Sequence, residues 1–247
     1  MKPFFLVLIL SLVSTTAFSY KLYKTEGGQY IRWNKTVVEI VLDDSLKGLA
    51  SKAEIEAEVS ESFKLWEKGA ALPVTFELIW DTCDEVKDDG NNCIFACEHK
   101  PDCYARPEEK GGTTYLNISP STGSITDADI VLNADDWEWD VNGNLPEGLA
   151  FDRVLSHEIG HLLGIDHSEE KEAIMYASLS ISNKETPALH DDDVAAGETL
   201  YADFEESQPT EVSACSVSNV GAANSGVGLF GLLIALFAYI RIRSPRR

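Results

Sequence analysis

The stretch His157-Glu158-Ile159-Gly160-His161-Leu162-Leu163-Gly164-Ile165-Asp166-His167 constrains this chain more than any other. It has the form H-E-x-x-H-x-x-G-x-x-H. Residues four apart share one face of a helix, so His157 and His161 can aim two imidazoles at one metal ion. Glu158, beside the first of them, can reach a water at that metal without being a ligand itself. Gly164 can adopt the left-handed backbone that ends a helix. The chain then turns, and His167 can supply a third nitrogen. Three neutral imidazoles leave a tetrahedral Zn²⁺ with one open position, the layout of a catalytic site rather than a closed structural one. Zinc lowers the pKa of its water to about 7, so hydroxide becomes available at neutral pH. The bland alternative is an amphipathic core helix with incidental histidines. Against it, three of the five histidines of the chain fall in this stretch, and the added glycine and third histidine make the pattern far more specific than H-E-x-x-H alone.

The segment resembles the zinc-binding signature of the matrixin branch of the metzincin metalloendopeptidases. Ser168, directly after the third histidine, is typical of that branch. Ala173-Ile174-Met175-Tyr176 resembles its Met-turn, and Asp191-Asp192-Asp193-Val194-Ala195-Ala196-Gly197-Glu198-Thr199-Leu200-Tyr201 resembles its closing helix. The acidic start also suits a helix N-terminus independently of any family. The resemblance covers roughly residues 30–201. It implies an α+β, metzincin-like fold: a mixed twisted sheet with covering helices and the active-site helix at the cleft. It implies zinc-dependent hydrolysis of peptide bonds, with His157, His161 and His167 as metal ligands, Glu158 as general base, and Met175 packed beneath the ion without binding it. An extended protein or peptide substrate would lie along a sheet edge, for which residues 113–118 are the candidate, and the specificity pocket would involve residues 176–189. Two departures from animal matrixins stand out. Residues 20–29 contain no cysteine to cap the zinc, and residues 128–133 contain no histidine for a second, structural zinc. His190 is expected at the surface. Calcium is a further candidate ion, through Asp127, Asp129, Asp135 or Asp136.

Both ends of the chain suggest export. Lys2, an apolar run at 4–13 and the small residues around Ala17-Phe18-Ser19 have the composition of a signal peptide over residues 1–19. Residues 20–204 form the expected catalytic domain, with a cysteine-rich insertion at about 83–103. Residues 205–219 are polar and proline-containing and read as a linker. Residues 220–247 are a transmembrane or sorting segment: the chain carries no charge from 212 to 240, and Arg241, Arg243, Arg246 and Arg247 follow at once. This arrangement resembles the tripartite C-terminal sorting tails of some exported bacterial proteins, with Cys215 ahead of the apolar run. The expected location is the cell envelope or surface, with release if the tail is cut.

The formal net charge of −21 argues against nucleic acid and anionic membrane surfaces as ligands. A monomer is expected. Cys83, Cys93, Cys97 and Cys103 cluster, which in an oxidising compartment reads as two disulfides with three pairings open; a four-thiolate zinc site is the alternative. His99, inside the cluster, reads as a loop residue.

Periodicity places the rest. Strands are expected at 30–42, 74–78, 92–96, 113–118 and 129–133, and helices at 51–68 and 151–163. Ser51 and Glu54 form a capping box, Ile55, Val59, Phe63 and Trp66 form one apolar face, and Gly69 is expected to stop that helix. Two other functions remain compatible with the residues. One is a surface-displayed binding module with a vestigial metal site, and the other is a metal-dependent hydrolase of a non-peptide bond.

Overall fold

The computed structural model describes residues 18–83, 86–98, 110–178 and 185–204. In chain order the elements are β1 (Lys21–Leu22), β2 (Val37–Asp43), a 3-10 turn (Asp44–Gly48), α1 (Lys52–Gly69), β3 (Thr75–Asp81), β4 (Asn92–Cys97), β5 (Gly112–Ile118), β6 (Ile125–Asn133), β7 (Trp139–Asp140), β8 (Leu149–Ala150), α2 (Phe151–Leu163), β9 (Ile165–Asp166) and α3 (Asp191–Tyr201). Five strands make one mixed sheet in the order β3-β2-β4-β6-β5. Strands β2, β3, β4 and β6 run parallel to their neighbours, whereas β5 runs antiparallel to β6 and forms one edge. Parallel neighbours cannot be joined by a tight turn, and α1 provides the crossover from β2 to β3. The α+β reading of a mixed sheet with covering helices therefore holds.

Helix α1 starts as expected. The Ser51 side chain accepts the Glu54 N–H, and the Glu54 carboxylate accepts the Ser51 N–H in return. Its apolar face is Ile55, Val59, Phe63 and Trp66, all essentially without exposure. The expected stop at Gly69 is not what ends it. Gly69 is still helical, and a side chain there would meet Leu189 Cδ1 at 2.7 Å. The left-handed residue that breaks the spiral is Ala71, at φ 47. The expected strand at 30–42 is also corrected. Only Val37–Asp43 joins the sheet, while Tyr30 and Arg32 make isolated bridges to Lys24 and Ser124. Trp33, next in the chain, is fully buried and anchors by side chain instead, donating from Nε1 to the Leu162 carbonyl at 3.0 Å.

Helix α2 is buried on nearly every side, with only Asp152 and Arg153 retaining appreciable exposure. A second indole pins it: Trp66 Nε1 donates to the Ser156 carbonyl at 2.8 Å. Two buried tryptophans thus fix α2 relative to α1 and to the N-terminal segment, each satisfying its one polar atom on a carbonyl of α2.

The sheet is covered on both faces around β4, which is buried throughout, whereas alternate residues of β3 stay exposed. Successive residues of a strand face opposite sides. Ile94 and Ala96 enter the main core under the helices, while Cys93, Phe95 and Cys97 enter a second cluster with Val41, Cys83 and Val131. That second cluster is closed by the cysteine-rich loop. Cys83 and Cys93 form a disulfide, and Cys97 is disulfide-bonded too, so none of these three sulfurs is a thiolate and the four-thiolate zinc alternative is overturned. Cys103, His99 and Cys215 lie outside the described residues. The loop is also held from below by two buried carboxylates on β6. Asp129 accepts the Cys93 and Lys87 N–H groups at 3.0 and 3.1 Å, and Asp127 accepts the Gly90 N–H at 2.9 Å.

Among the described residues no helix is long and apolar enough to cross a membrane. Residues 1–17 of the expected leader (1–19), the linker and the segment at 220–247 lie outside them. Ser19, the last residue of the expected leader, is held by the domain, its N–H donating to Asp192 Oδ1 at 2.6 Å.

Two outcomes follow. Replacing Cys83 and Cys93 together by Ser should lower the free energy of unfolding by about 2–4 kcal/mol, since the lost cross-link closes a loop of ten residues; urea denaturation of the oxidised wild type against the double variant measures it. Burial pushes Asp129 up to about 7 from the usual 3.8. The folded chain therefore holds that proton more tightly than the unfolded chain, and this stabilisation is present below about pH 4 and lost as pH rises through about 7. Asp129→Asn should reduce the decline in stability across that window, read from urea midpoints at pH 4.5 and 7.5.

Candidate metal centre and cleft

The geometry of the centre is set by where α2 ends. Gly164 takes φ 105 and closes the helix through its N–H to the Gly160 and His161 carbonyls. A Cβ there would collide with the carbonyl oxygen of Ile31, so glycine is required by space as well as by φ. The two residues of β9 then pair with β1, and His167 follows, its N–H held by Asp166 Oδ1 at 2.7 Å.

The three histidines come together as the spacing suggests. Their ligand atoms form a group within 4.8 Å of one another, able to hold a metal ion. Nε2 of His161 lies 3.2 Å from Nε2 of His167. Tetrahedral zinc with bonds of about 2.0–2.1 Å needs nitrogens about 3.3–3.4 Å apart, so the pair fits. The tautomers fit as well. His157 Nδ1 lies 2.7 Å from the Ile174 carbonyl and His161 Nδ1 lies 2.8 Å from the Ile165 carbonyl. A carbonyl can only accept, so each Nδ1 carries the proton and each Nε2 keeps its lone pair for the metal. Burial pushes His157 down to about 3 and His161 down to about 4, and it lowers His167 too. All three are neutral at pH 7, the form that binds metal.

Glu158 sits beside the triad with its side chain buried. Burial pushes its carboxyl up to about 7, against a hydrogen bond from Thr114 and the charge of Lys110, which both pull it down. Thr114 Oγ1 donates to Glu158 Oε2 at 2.7 Å. Gly112 lies against the same side chain, where a Cβ would come within 2.8 Å of Glu158 Cγ. Strand β5, the edge of the sheet, thus runs alongside the acidic group. Residues 113–118 are indeed an edge. Between β5 and α2 lies a cleft of about 610 Å³, whose lining includes Tyr23, Lys110, Trp137, the three histidines, Ala177 and Ser178. The expected pocket segment 176–189 reaches this cleft through Ala177 and Ser178, and its portion at 179–184 lies outside the described residues.

Beneath the triad, the turn at Ala173-Ile174-Met175-Tyr176 is returned to the third histidine by two contacts: Ser168 N–H donates to the Met175 carbonyl at 2.8 Å, and Ser168 bridges to Tyr176. Met175 is buried against Gly160, where a Cβ would collide with its Sδ. What holds this turn was not visible in the sequence. The acidic start of α3 does more than suit a helix N-terminus. Asp193 accepts the Ile174 and Met175 N–H groups at 2.8 and 3.0 Å, and Asp192 accepts the Ser168 hydroxyl at 2.6 Å. The actual cap of α3 is His190, whose Nδ1 accepts the Asp192 N–H; the expected surface residue is a half-buried capping residue.

The calcium candidates do not gather into a ligand group among the described residues. Asp129 spends its oxygens on backbone N–H groups, Asp127 on the Gly90 N–H and the Asn117 side-chain amide, and Asp136 Oδ2 accepts the Asn133 amide at 2.9 Å. A second group, Glu170, Glu172 and His190, also comes within 4.8 Å. The Nδ1 lone pair of His190 is already committed to the helix cap, which leaves its other nitrogen protonated.

Comparison with known proteins agrees with this geometry. The family model described as Matrixin matches residues 32–202. The chain belongs to the matrixin family. Among curated relatives it is 28% identical to karilysin of Tannerella forsythia over 224 residues, covering 86% of this chain and 44% of karilysin. It is 28% identical to Metalloendoproteinase 1-MMP of Arabidopsis thaliana over 179 residues, 69% of this chain and 44% of the relative. It is 28% identical to human matrilysin over 149 residues, 60% of this chain and 50% of matrilysin. The chain thus spans half or less of the length of each of these relatives.

Gly160→Ala should destabilise the fold by about 1–3 kcal/mol, because the added methyl overpacks Met175 and Trp66 beneath the triad. Thermal unfolding compared with an exposed-site Gly→Ala control, at Gly27, checks it.

Proposed function

We propose that this matrixin is an exported, zinc-dependent endopeptidase that hydrolyses peptide bonds in proteins. The observation that carries the reading is the convergence of three neutral imidazoles with a buried carboxyl beside them, in a cleft bordered by an open sheet edge. His157, His161 and His167 would hold the zinc through Nε2. When bound, zinc supplies the Lewis acidity that polarises a carbonyl and makes water a stronger acid.

The rest falls to residues of the chain. Glu158, pushed up to about 7, is suited to take a proton from the attacking water and pass it to the leaving amine. Thr114 fixes the carboxyl on the cleft side of α2. An extended peptide would add as a strand to the free edge of β5, whose backbone groups on that side have no strand partner in the sheet order. The names of the relatives support the reaction class, one of them being a metalloendoproteinase. Export rests on the composition of residues 1–19 and on the disulfide in the domain. Attachment to the envelope would come from residues 220–247, which lie outside the described residues.

Glu158→Gln keeps an acceptor for Thr114 but cannot take a proton. Peptide cleavage should fall by at least about 10²-fold while zinc content stays at one per chain. His167→Ala removes a ligand, so zinc and activity should fall together. Metal analysis beside a peptidase assay separates the two. Full activity in Glu158→Gln would remove it as the base. A folded, zinc-loaded wild type that cleaves nothing in a broad peptide library would favour a binding module instead.

A further inference from the structure

The N-terminal segment reaches the metal centre through one side chain. Strand β1 pairs with β9, matching Lys21 to Asp166 and Leu22 to Ile165. The Tyr23 N–H then donates to the Gly164 carbonyl at 3.0 Å, and its own carbonyl accepts the Ile31 N–H at 3.0 Å. These bonds fix the backbone of Tyr23 over the turn between the second and third histidines. Its ring leans on His161, with centroids 5.9 Å apart, and its hydroxyl oxygen lies 3.2 Å from His161 Nδ1.

The proton positions follow from the acceptors. His161 Nδ1–H points toward the Ile165 carbonyl at 2.8 Å and can share that proton with the Tyr23 oxygen. The Tyr23 oxygen then acts as an acceptor toward the ring, and its own proton points away from His161.

We infer that Tyr23 is a positioning residue for the metal centre: its hydroxyl, fixed over the turn between the second and third histidines, accepts from His161 Nδ1 beside the Ile165 carbonyl and holds the ring in the ligating tautomer. The inference rests on the zinc reading given above. Groups that orient a ligating histidine from behind are typically worth about 10–100-fold in metal affinity. The strap at its N-terminal side thereby becomes part of the metal site, although none of its residues is a ligand.

The test compares two phenylalanine variants of the whole chain. Tyr23→Phe keeps the ring and removes the hydroxyl. Tyr20→Phe removes another tyrosine hydroxyl of the same N-terminal segment (18–31), one that bonds Thr199 Oγ1 at 2.8 Å and points to α3. Zinc affinity is measured by competition with a chromophoric chelator, and ligand geometry by the visible spectrum of the Co²⁺-substituted protein. Tyr23→Phe should weaken zinc about 10-fold or more and shift the cobalt bands, with Tyr20→Phe unchanged in both. Unchanged affinity and spectrum in Tyr23→Phe overturn the inference. Equal weakening in both variants also overturns it, because the effect would then be a general loosening of the strap. Failure of the zinc reading itself shows separately, as a wild-type chain that takes up no zinc, and removes the inference with it.

Discussion

Gly164 sits at φ 105 against the carbonyl of Ile31, so closely that no side chain fits. This reversal lets one short segment supply all three imidazoles. Two come from successive turns of α2, and the third returns from β9 to face them. A residue with a Cβ would push the turn away from the N-terminal segment and carry His167 with it. The strap at 18–31 is therefore as much a part of the centre as the helix. It closes over the turn through β1, through the Tyr23 bonds and through the Ile31 contact.

A second constraint is the placement of charge. The domain is strongly acidic, and its most buried carboxylates are satisfied by backbone N–H groups rather than by cations. Asp193 holds the turn beneath the triad, and Asp127 and Asp129 hold the disulfide loop. Burying a carboxylate is costly unless it is hydrogen-bonded, and each of these receives two or more donors. The outcome is that irregular segments, which no helix or sheet ladder supports, are fixed in place where the site needs them. Glu158 is treated differently. It receives a single side-chain donor from Thr114, and burial pushes it up to about 7. Asp129, with two backbone donors, is pushed up as far, so what sets Glu158 apart is its place in the cleft beside the three histidines.

The cysteine-rich loop shows how a single strand can serve two cores. Alternation along β4 sends Ile94 and Ala96 under the helices and Cys93, Phe95 and Cys97 beneath the loop. The centre of the sheet is then covered on both faces, and β5 is left as the edge beside the cleft. Covering the outer face with a disulfide loop leaves the edge open, where a helix placed over it would have blocked the approach of an extended chain.

The sequence by itself determined the local chemistry. The bounds of α2, the capping box at Ser51, the left-handed Gly164, the strand at 113–118 and the gathering of His157, His161 and His167 were all legible, because each depends on residues a few positions apart and on periodicity; that this strand is an edge was implied only by the family resemblance. It misplaced the end of α1 at Gly69, where the glycine serves a contact with Leu189 rather than a turn, and it joined Tyr30 to β2 although Trp33 is held by burial and by bonds to Leu162 and Tyr201 rather than by a strand ladder. The partners of the site came from the tertiary structure alone: Thr114 on Glu158, Asp193 under Met175, and Tyr23 behind His161. They are separated from those partners by 44, 18 and 138 positions. A hydroxyl or carboxylate carries no mark of which distant group it will meet, and only the packing of strap, edge strand and closing helix around α2 decides it.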